Sequence, residues 1–436
     1  MFQTPRGTRD FLPIEMIKRD FILETVRRVF ESYGFDPLET PAFEEWNLLA
    51  KKGSGGEEIK NEIYYFKDKS NRELGLRFDL TVPMARVVAV NPQLSKPFKR
   101  YQIGRVWRYD RPQAGRYREF WQADVDIVGA KSVEADLECI VVMVEVLKKL
   151  GFEKFSVRLN NRGVLNGMIE FVDIPKKKSP AVFRILDKLE KIGDKDVKKE
   201  LKSEINSKKV EELLELINRR GKPEGILKKE MKALGSNDTA RIGLEELKEI
   251  VEKAKVYGIA DRIEIDFSLV RGLDYYTGPI FEISVETKKN VGSVAGGGRY
   301  DNLIELYGGN WTPATGISLG VERIYEIMEA EKMFRLPETK TFFFVLCVDE
   351  KLKKNAIRIA QKLRKVGIPT QTDVMGRNMK KQLEYVNSAK IPFVIFVGEK
   401  ELKSKKFTIR NMINGEQKVM NIETILKVFS KLIPLS

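Results

Sequence analysis

Five arginines lie within residues 105–118, a density that suits the binding of phosphate or carboxylate groups. Apolar and polar residues alternate on both sides of this stretch, which predicts two strands joined by a turn-rich loop. Residues of one parity then share a face of the strand pair. That face would carry Arg108, Arg118, Phe120, Gln122 and Asp126. Guanidinium forks beside an aromatic ring favour a nucleotide, with Phe120 against its base; a charged surface hairpin is the alternative.

A second polar segment, Arg271–Gly278, lies between two β-type runs. Its arginine is of the type that fixes a carboxylate or a phosphate. The hydroxyls of Tyr275 and Tyr276 can donate hydrogen bonds at one end of a pocket. A turn with packed tyrosine rings accounts for the same residues equally well.

Glycine-rich chain follows in two places. Gly296-Gly297-Gly298 comes after a β-type run and lets backbone approach a ligand closely. It is neither a P-loop nor a GxGxxG motif, because no Gly-Lys-Ser/Thr follows, and a tight turn is the alternative. Residues 316–323 lead from a predicted strand into a predicted helix, which would bring Arg323 near a helix N-terminus, where anions bind well.

The 436-residue chain contains no histidine, and this absence excludes whole classes of catalysis. A Ser-His-Asp triad, a histidine general base, an HExxH zinc site and a histidine-ligated haem all require the missing residue. Catalysis must therefore use carboxylates, Arg, Lys, Tyr, backbone dipoles or a metal held by oxygen. Cys139 and Cys347 lie far apart in apolar stretches, which argues against a disulfide or a thiolate metal site. No apolar run reaches the ~18 residues of a membrane span and no signal-peptide core is present, so we expect a cytoplasmic protein.

The net charge of +15 is concentrated towards the end of the chain. Residues 340–436 hold 20 Lys and Arg against 8 Asp and Glu, a net of +12. A basic domain of this kind favours a polyanionic partner, with nucleic acid ahead of a membrane surface. A Lys-rich surface that serves only solubility is the alternative.

Periodicity and turn signals indicate the elements that must position these motifs. Apolar residues at helical spacing predict a helix over 14–33 that ends at Gly34. β-type runs over 98–110 and 118–128 predict a long antiparallel hairpin with its loop at 111–116.

The second half of the chain changes character twice. Residues 175–257 are rich in Lys and Glu, nearly free of aromatics and helical in their pattern, which predicts a helical domain inserted into a β-rich one. β-type runs resume over 263–319. After a linker near 335–340, strands and helices alternate as in an α/β domain.

Taken in order, these segments resemble class II aminoacyl-tRNA synthetases, and specifically the histidyl-tRNA synthetase family. The resemblance covers essentially the whole chain. It starts with PRGTRD near the N-terminus and a first signature that ends at Pro41, and continues through a second signature at 108–126 and a third at Gly320–Arg323. Its most specific parts are RGLDYYTG at 271–278 and GGGRYD at 296–301, which look like the two histidine-recognition motifs of this family.

The resemblance implies an α/β multidomain fold with an antiparallel β-sheet catalytic core flanked by helices, a helical insertion and a C-terminal α/β anticodon-binding domain. The corresponding bounds are a catalytic domain in two parts, 1–172 and 259–335, an insertion at 173–258 and an anticodon-binding domain at 340–436. The first signature is associated with a homodimer. Histidine tRNA would then be the polyanion that the basic domain binds, with no membrane partner.

The implied reaction has two steps. Histidine and ATP give histidyl-adenylate and pyrophosphate, and the acyl group then passes to the 3′-terminal adenosine of tRNA. The substrate carboxylate is already ionised, so activation needs positioning and charge neutralisation rather than a protein base. Such chemistry suits a chain without histidine. Mg²⁺ would accompany ATP, with no tightly bound cofactor.

The resemblance also implies which arginines handle the nucleotide. Arg108 and Arg271 would flank the α-phosphate and the amino-acid carboxylate. Arg323 and Arg118 would hold the γ-phosphate side, and Phe120 would lie under the adenine. Arg108, Arg271 and Arg323 are the predicted catalytic residues.

The substrate histidine would be read by a set of polar side chains. The set implied by the resemblance is Asp79, Thr81, Gln122, Asp126, Arg271, Tyr275 and Tyr276. The first three would take the ammonium group. Asp126 and Tyr276 would address the two imidazole nitrogens, since a ring with one donor and one acceptor nitrogen needs two opposed polar partners. Arg111 and Gln113 would meet the acceptor end of the tRNA.

Four positions depart from the bacterial members of the family. Residues 79 and 126 are Asp in place of Glu, and Tyr109 and Trp121 stand in place of His, a pattern that resembles archaeal and eukaryotic members. The shorter carboxylates require a compensating shift or a water. Two alternatives stay open at this point. One is a synthetase-like paralogue such as the regulatory subunit of ATP phosphoribosyltransferase, and the other is a module that senses uncharged tRNA.

Overall fold

A computed structural model of the chain describes residues 2–51, 62–109, 117–270, 275–287 and 292–431. The chain divides into two units, one of Met1–Asp10 with Phe21–Met333 and the other of Phe11–Asp20 with Phe334–Ser436. No helix within the described ranges is long and apolar enough to cross a membrane.

The chain up to residue 333 alternates between short strands and helices. Its strands are β1 Asp36–Pro37, β2 Phe43–Glu45, β3 Tyr65–Lys67, β4 Glu73–Leu76, β5 Phe98–Trp107, β6 Glu119–Val128, β7 Phe155–Asn161, β8 Arg220–Gly221, β9 Ile263–Asp266, β10 Pro279–Val285, β11 Ser293–Arg299 and β12 Ala314–Gly320. Its helices are α1 Pro13–Ser32, α2 Trp46–Lys51, α3 Thr81–Val90, α4 Val133–Lys149, α5 Arg162–Phe171, α6 Ser179–Leu186, α7 Leu189–Glu204, α8 Ser207–Ile217, α9 Pro223–Leu234, α10 Asp238–Ala254, α11 Leu303–Leu306 and α12 Val321–Ala330.

Within the described residues, nine of these strands form one sheet in the order β1-β5-β6-β12-β11-β10-β7-β9-β8. The pairs from β5 through β7 are antiparallel, whereas β1 with β5 and β7 with β9 are parallel. A second, antiparallel sheet has the order β2-β4-β3. The predicted antiparallel core with flanking helices is confirmed.

The predicted helix and hairpin are both present. α1 begins at Pro13 and is followed by Gly34 at a φ of +73°, a left-handed conformation that glycine adopts without strain. β5 and β6 pair with Arg100 opposite Asp126 and Trp107 opposite Glu119. The predicted loop at 111–116 lies outside the described residues.

The segment predicted to be a helical insertion is helical between Lys176 and Ala254, apart from β8. Asparagine side chains cap two of its helices: Asn206 accepts from the backbone N–H of Lys209, and Asn237 from that of Ala240. Both helices are amphipathic, and each buries its apolar face.

The second unit contains a five-stranded sheet in the order β14-β13-β15-β16-β17. Its strands are β13 Phe343–Cys347, β14 Thr370–Thr372, β15 Phe393–Val397, β16 Lys406–Asn411 and β17 Gln417–Asn421, and its helices after residue 334 are α13 Lys353–Lys365, α14 Met379–Ser388, α15 Glu399–Ser404 and α16 Ile422–Phe429. Buried residues such as Phe343, Leu363 and Ile425 form its core. The alternation of strands and helices confirms the predicted α/β domain.

Candidate active site

One face of the larger sheet collects the polar residues of β6, because alternate residues of a strand point the same way. Gln122, Asp124 and Asp126 lie on this face and are at most 9 % exposed. The residues opposite them are Arg100, Gln102 and Gly104 on β5, and Gly316, Ser318 and Gly320 on β12. The sheet therefore has a buried polar surface, and several of the positions that border it are glycines.

Asp126 is the centre of this surface. Its Oδ2 lies 2.6 Å from Nη2 of Arg100, and the Tyr300 hydroxyl donates a hydrogen bond to its Oδ1. Arg100 is completely buried and also donates from Nη2 to the carbonyl oxygen of Leu80, at 3.3 Å. Burial raises the pKa of Asp126, while Arg100 and Tyr300 oppose that rise. The carboxylate is thus held in one place by a cation and a hydroxyl.

Glycines on this surface make room for neighbouring side chains. A Cβ at Gly316 would lie 2.2 Å from Oδ1 of Asp126, and a Cβ at Gly298 would lie 2.8 Å from a ring carbon of Tyr276. Both contacts are shorter than any side chain tolerates. The run Gly296-Gly297-Gly298 belongs to β11, so the alternative of a tight turn is wrong. The strand needs glycine because neighbouring groups press against its surface.

Three tyrosine rings meet beside Asp126. The ring centroids of Tyr275 and Tyr276 are 4.8 Å apart, and those of Tyr275 and Tyr300 are 5.8 Å apart, edge to face. Burial raises the pKa values of Tyr275 and Tyr300 well above the usual value for a phenol. Both hydroxyls therefore stay protonated and can donate hydrogen bonds.

Gln122 and Asp124 are linked through Ser318. The amide Nε2 of Gln122 donates to Ser318 Oγ at 2.6 Å, and Ser318 faces Asp124 across the ladder. Burial raises the pKa of Asp124 to about 7; Arg100 and Ser318 lower it, whereas Asp126 and Asp79 raise it.

Asp79 and Thr81 come from the beginning of α3. The backbone N–H of Val82 donates to Asp79 Oδ1 at 3.1 Å, which fixes the carboxylate at the positive end of the helix dipole. Asp79 is buried, and Thr81 is half-buried as the first residue of the helix. The effect of Asp79 on the pKa of Asp124 indicates that its charge acts on the same surface.

Arg108 and Phe120 lie next to each other at the end of the hairpin. The guanidinium carbon of Arg108 is 5.3 Å from the centroid of the Phe120 ring, and its Nε donates to the carbonyl oxygen of Phe78 at 2.9 Å. The backbone N–H of Arg108 donates to Arg118, and the Arg118 guanidinium packs 4.1 Å from the Tyr109 ring. A cation, a second cation and an aromatic ring thus share one end of the strand pair.

Arg323 lies in the first turn of α12, directly after β12, as predicted. Its Nη1 donates to the carbonyl oxygen of Ser293. The preceding residue, Glu322, is buried and accepts a hydrogen bond from the backbone N–H of Trp121 at 2.8 Å. This contact ties the beginning of α12 to β6.

The arginine of the GGGRYD segment supports the site from behind. Arg299 is buried and donates to Asp136 of α4, with Nη2–Oδ2 at 2.6 Å, and to the carbonyl oxygens of Ala130 and Ser132. Its contacts fix the end of β11 and hence the position of Tyr300. Arg299 is therefore engaged in structure rather than facing the polar surface.

The predicted residues fall into three groups. Gln122 and Asp126 share one surface, with Asp79, Thr81, Tyr275 and Tyr276 at its border, and Arg108, Arg118, Phe120 and Arg323 lie at strand ends and a helix start. Arg111, Gln113 and Arg271 lie outside the described residues. Across the described ranges, no group of three or more carboxylates or cysteines is arranged to hold a metal ion.

Sequence reasoning missed Arg100, Asp124, Tyr300 and Ser318 on this surface. Parity along β6 was available as a signal for Asp124, which lies between Gln122 and Asp126. Arg100 required the hairpin register, because only the pairing of β5 with β6 brings it opposite Asp126. Tyr300 was visible in a glycine-rich motif but received no role.

Comparison with protein families gives two matches. Residues 7–324 match the family model described as histidyl-tRNA synthetase. The chain belongs to the histidyl-tRNA synthetase family. Residues 343–432 match the model described as an anticodon binding domain.

Individual histidyl-tRNA synthetases are similar over their full length. The histidine–tRNA ligase of Pyrococcus furiosus is 39 % identical over 429 residues, which span 98 % of each chain. That of Aeropyrum pernix is 41 % identical over 434 residues, covering 99 % of this chain and 98 % of its own. These sources agree with the archaeal-type pattern expected from the sequence.

Solved structures agree in fold. The histidyl-tRNA synthetase of Nostoc sp. PCC 7120 superimposes with a TM-score of 0.86 at 29 % identity, covering 99 % of this chain and all of that one. A Bacillus halodurans chain described as an ATP phosphoribosyltransferase regulatory subunit/histidyl-tRNA synthetase has a TM-score of 0.76 at 23 % identity, covering 91 % of this chain and 98 % of its own, and shares the fold.

As a histidyl-tRNA synthetase, the chain is a ligase that joins histidine to tRNA. Enzymes of this class work in two steps, formation of an aminoacyl-adenylate and transfer of the acyl group to tRNA. The predicted activity is confirmed at this level. The roles of individual residues are a separate question.

Proposed function

We propose that histidyl-adenylate forms on the polar surface of β5, β6 and β12, from histidine and ATP accompanied by Mg²⁺. The observation that supports this site best is the cluster of Arg100, Asp126 and Tyr300. A carboxylate fixed by a buried cation and a hydroxyl is suited to accept a hydrogen bond from a ring N–H. An imidazole ring offers that donor.

The substrate histidine binds with its ring towards Asp126 and Tyr276 and its ammonium group towards Asp79, Thr81 and Gln122. The hydroxyl of Tyr276 supplies the donor that the second imidazole nitrogen requires, and Tyr275 packs beside it with a hydroxyl that burial keeps protonated. A site of this kind rejects isosteres that lack either nitrogen, because its buried polar groups would be left unpaired. Arg271 takes the substrate carboxylate.

ATP binds at the end of the hairpin. Phe120 lies under the adenine, Arg108 and Arg271 flank the α-phosphate, and Arg118 and Arg323 hold the γ-phosphate side. A carboxylate oxygen of histidine attacks the α-phosphorus and the bond to the β-phosphate breaks, so pyrophosphate leaves. The arginines neutralise the charge that grows on the α-phosphate. Mg²⁺ supplies further charge neutralisation on the phosphates, whose oxygens are its usual ligands.

The domains divide the work on tRNA. A catalytic domain of residues 1–172 and 259–335 receives the acceptor end at Arg111 and Gln113, with residues 173–258 as its insertion. Residues 340–436 bind the anticodon, which is consistent with their net charge of +12 and with the matched family. The acyl group then passes to the 3′-terminal adenosine.

The enzyme acts as a cytoplasmic homodimer. The small sheet β2-β4-β3 supports self-association, because Phe43, Tyr65 and Phe66 on it are 50 %, 44 % and 36 % exposed. Light scattering on the purified protein measures the oligomer directly, and a monomer at micromolar concentration would contradict the dimer.

Histidine-dependent exchange of pyrophosphate into ATP tests the proposed site. We expect exchange with the wild-type protein and its loss in Arg271→Ala, while binding of histidine tRNA is retained. Arg72→Ala is the matched control, because Arg72 is 76 % exposed and pairs only at the surface with Asp68. A protein that binds tRNA without exchange would be a tRNA-sensing module, and a protein that binds neither would be a regulatory paralogue.

A further inference from the structure

Three buried acceptor atoms on β6 have no hydrogen-bond donor among the described residues. Asp126 Oδ2 is ion-paired with Arg100, which leaves Gln122 Oε1 and Asp124 Oδ1. Both side chains lie on the same face of the strand, two positions apart, and are 9 % and 2 % exposed. A buried acceptor without a donor destabilises the folded protein, and more so when the acceptor is charged. Two such atoms on one face of β6 therefore point to a donor that arrives with a ligand.

Ser318 is hydrogen-bonded to both side chains, and among the described residues these two oxygens are still without a donor. Gln122 already uses its amide Nε2 on Ser318 Oγ, so its Oε1 faces the other side. Arg100 lies opposite Asp126 rather than opposite Asp124 and pairs with Asp126 at 2.6 Å. Within the described part of the chain, Nε and Nη1 of Arg100 have no acceptor, so a structural Arg100–Asp124 contact is the competing explanation.

The charge around Asp124 favours a cationic ligand. The charged groups that face it from neighbouring elements are Arg100 on β5, Asp126 on β6 and Asp79 before α3. Three carboxylates thus stand against one guanidinium among these described residues. A buried excess of negative charge is stabilised by a bound cation.

An ammonium group matches the arrangement in charge and in hydrogen bonding. It carries only N–H donors, and Gln122, Asp124 and Asp79 all contribute acceptor oxygens to this surface. We propose that Asp124 is a further substrate-binding residue, whose carboxylate accepts a hydrogen bond from the α-ammonium group of histidine and balances its charge. This assignment rests on the proposed function and refines it.

The titration of Asp124 agrees with such a role. Its pKa of about 7 in the unliganded protein means that a nearby ammonium group favours the ionised form and displaces a proton. Affinity for histidine should therefore rise with pH through 7. The imidazole ring that both ligands share titrates in the same range, so the contribution of Asp124 is the additional rise for histidine over a ligand without the ammonium group.

A chemical double-mutant cycle tests the assignment. Calorimetry compares wild type and Asp124→Asn with two ligands, histidine and 3-(imidazol-4-yl)propionate, which lacks only the ammonium group. We expect the substitution to weaken the binding of histidine by roughly ten- to a hundredfold and to leave the affinity for the propionate unchanged or improved. Asp373→Asn, which alters a buried carboxylate of the second unit, is the matched control and should change neither.

Each other result overturns the assignment. If Asp124→Asn weakens the binding of both ligands equally, Asp124 serves only the structure, as a partner of Arg100. If the affinity for neither ligand changes, Asp124 does not belong to the binding site. If the variant does not fold, the pH profile of the wild type decides, because equal profiles for the two ligands contradict an ammonium contact. Wild-type protein that neither binds histidine nor catalyses exchange would refute the proposed function itself. If exchange occurs but the effect of Asp124→Asn is the same for both ligands, only the assignment of Asp124 is refuted.

Discussion

Arg100 and Asp126 face each other across β5 and β6 with 2.6 Å between Nη2 and Oδ2, and the arginine side chain is completely buried. A guanidinium in such a position has no access to water that could replace its partner. The pair therefore connects the stability of the sheet to the integrity of the proposed histidine site.

Replacing Arg100 by Met should lower the free energy of unfolding by about 3–5 kcal/mol, because an uncompensated carboxylate then stays buried. Urea unfolding measures this, and the double variant Arg100→Met/Asp126→Leu should recover part of the loss. Glu245→Gln removes an exposed partner of Arg241 and should change stability by less than about 1 kcal/mol. If Arg100→Met and Glu245→Gln lowered the free energy of unfolding equally, burial would not be what makes the Arg100–Asp126 pair important.

Tyr300→Phe removes only the hydroxyl that donates to Asp126. The KM for histidine in pyrophosphate exchange should rise roughly tenfold, as expected for a lost hydrogen bond to a charged group, while the KM for ATP stays the same. Tyr257→Phe, at a half-exposed tyrosine, serves as the control. A parallel rise in both KM values would show that Tyr300 acts on the fold instead of on the ring-binding carboxylate.

Gly316→Ala should abolish exchange with histidine, because the new Cβ would lie 2.2 Å from Asp126 Oδ1 and must displace that carboxylate. Gly225→Ala is its counterpart in α9, where a Cβ meets no atom of the described residues within 4 Å. That control should keep full exchange and gain about 0.5–1 kcal/mol of stability from the higher helix propensity of Ala. Exchange that survives in Gly316→Ala would mean that Asp126 has room to move.

The pH dependence of stability should carry the signature of Asp124. Its pKa is raised from 3.8 to about 7 on folding, so the folded protein binds the proton more tightly than the unfolded chain between these values. The stabilisation of the folded protein by the proton on Asp124 is complete below pH 4 and is lost as the pH rises through 7. The free energy of unfolding of Asp124→Asn relative to wild type should therefore increase over this window, by at most about 1.4 kcal/mol per pH unit. A difference that does not vary with pH would contradict the raised pKa.

The outer face of α13 carries exposed basic residues at helical spacing, Lys354, Arg358, Lys362 and Lys365. Replacing the first three by Gln should raise the KM for tRNA and reduce the salt dependence of charging, by up to about 0.9 in logarithmic slope for each lost phosphate contact. Pyrophosphate exchange, which needs no tRNA, should be unchanged and is the internal control. An unaltered salt slope would exclude this face from the tRNA interface.

The sequence predicted the parts of the site that depend on local patterns. Alternation along β6 was enough to predict a common face for Gln122 and Asp126, and the order of β12 and α12 was enough for Arg323. Arg100 was beyond such reasoning, since a charged residue inside a β-run has no local signal for burial until the strand register is known. Arg299 is an example of the opposite kind of error. Its motif suggests contact with a ligand, but in the folded protein its guanidinium donates a hydrogen bond to Asp136.

Gly298 and Gly316 lie directly under the side chains of Tyr276 and Asp126, which a Cβ would meet at 2.8 Å and 2.2 Å. No amino acid is smaller than glycine, so every substitution at these two positions adds atoms and displaces one of these side chains. A broader or altered substrate range must therefore arise at other positions, such as Tyr276 and Asp79, where the side chain can be shortened. The two glycines give the substrate choice of this enzyme a direction in which it can evolve and one in which it cannot.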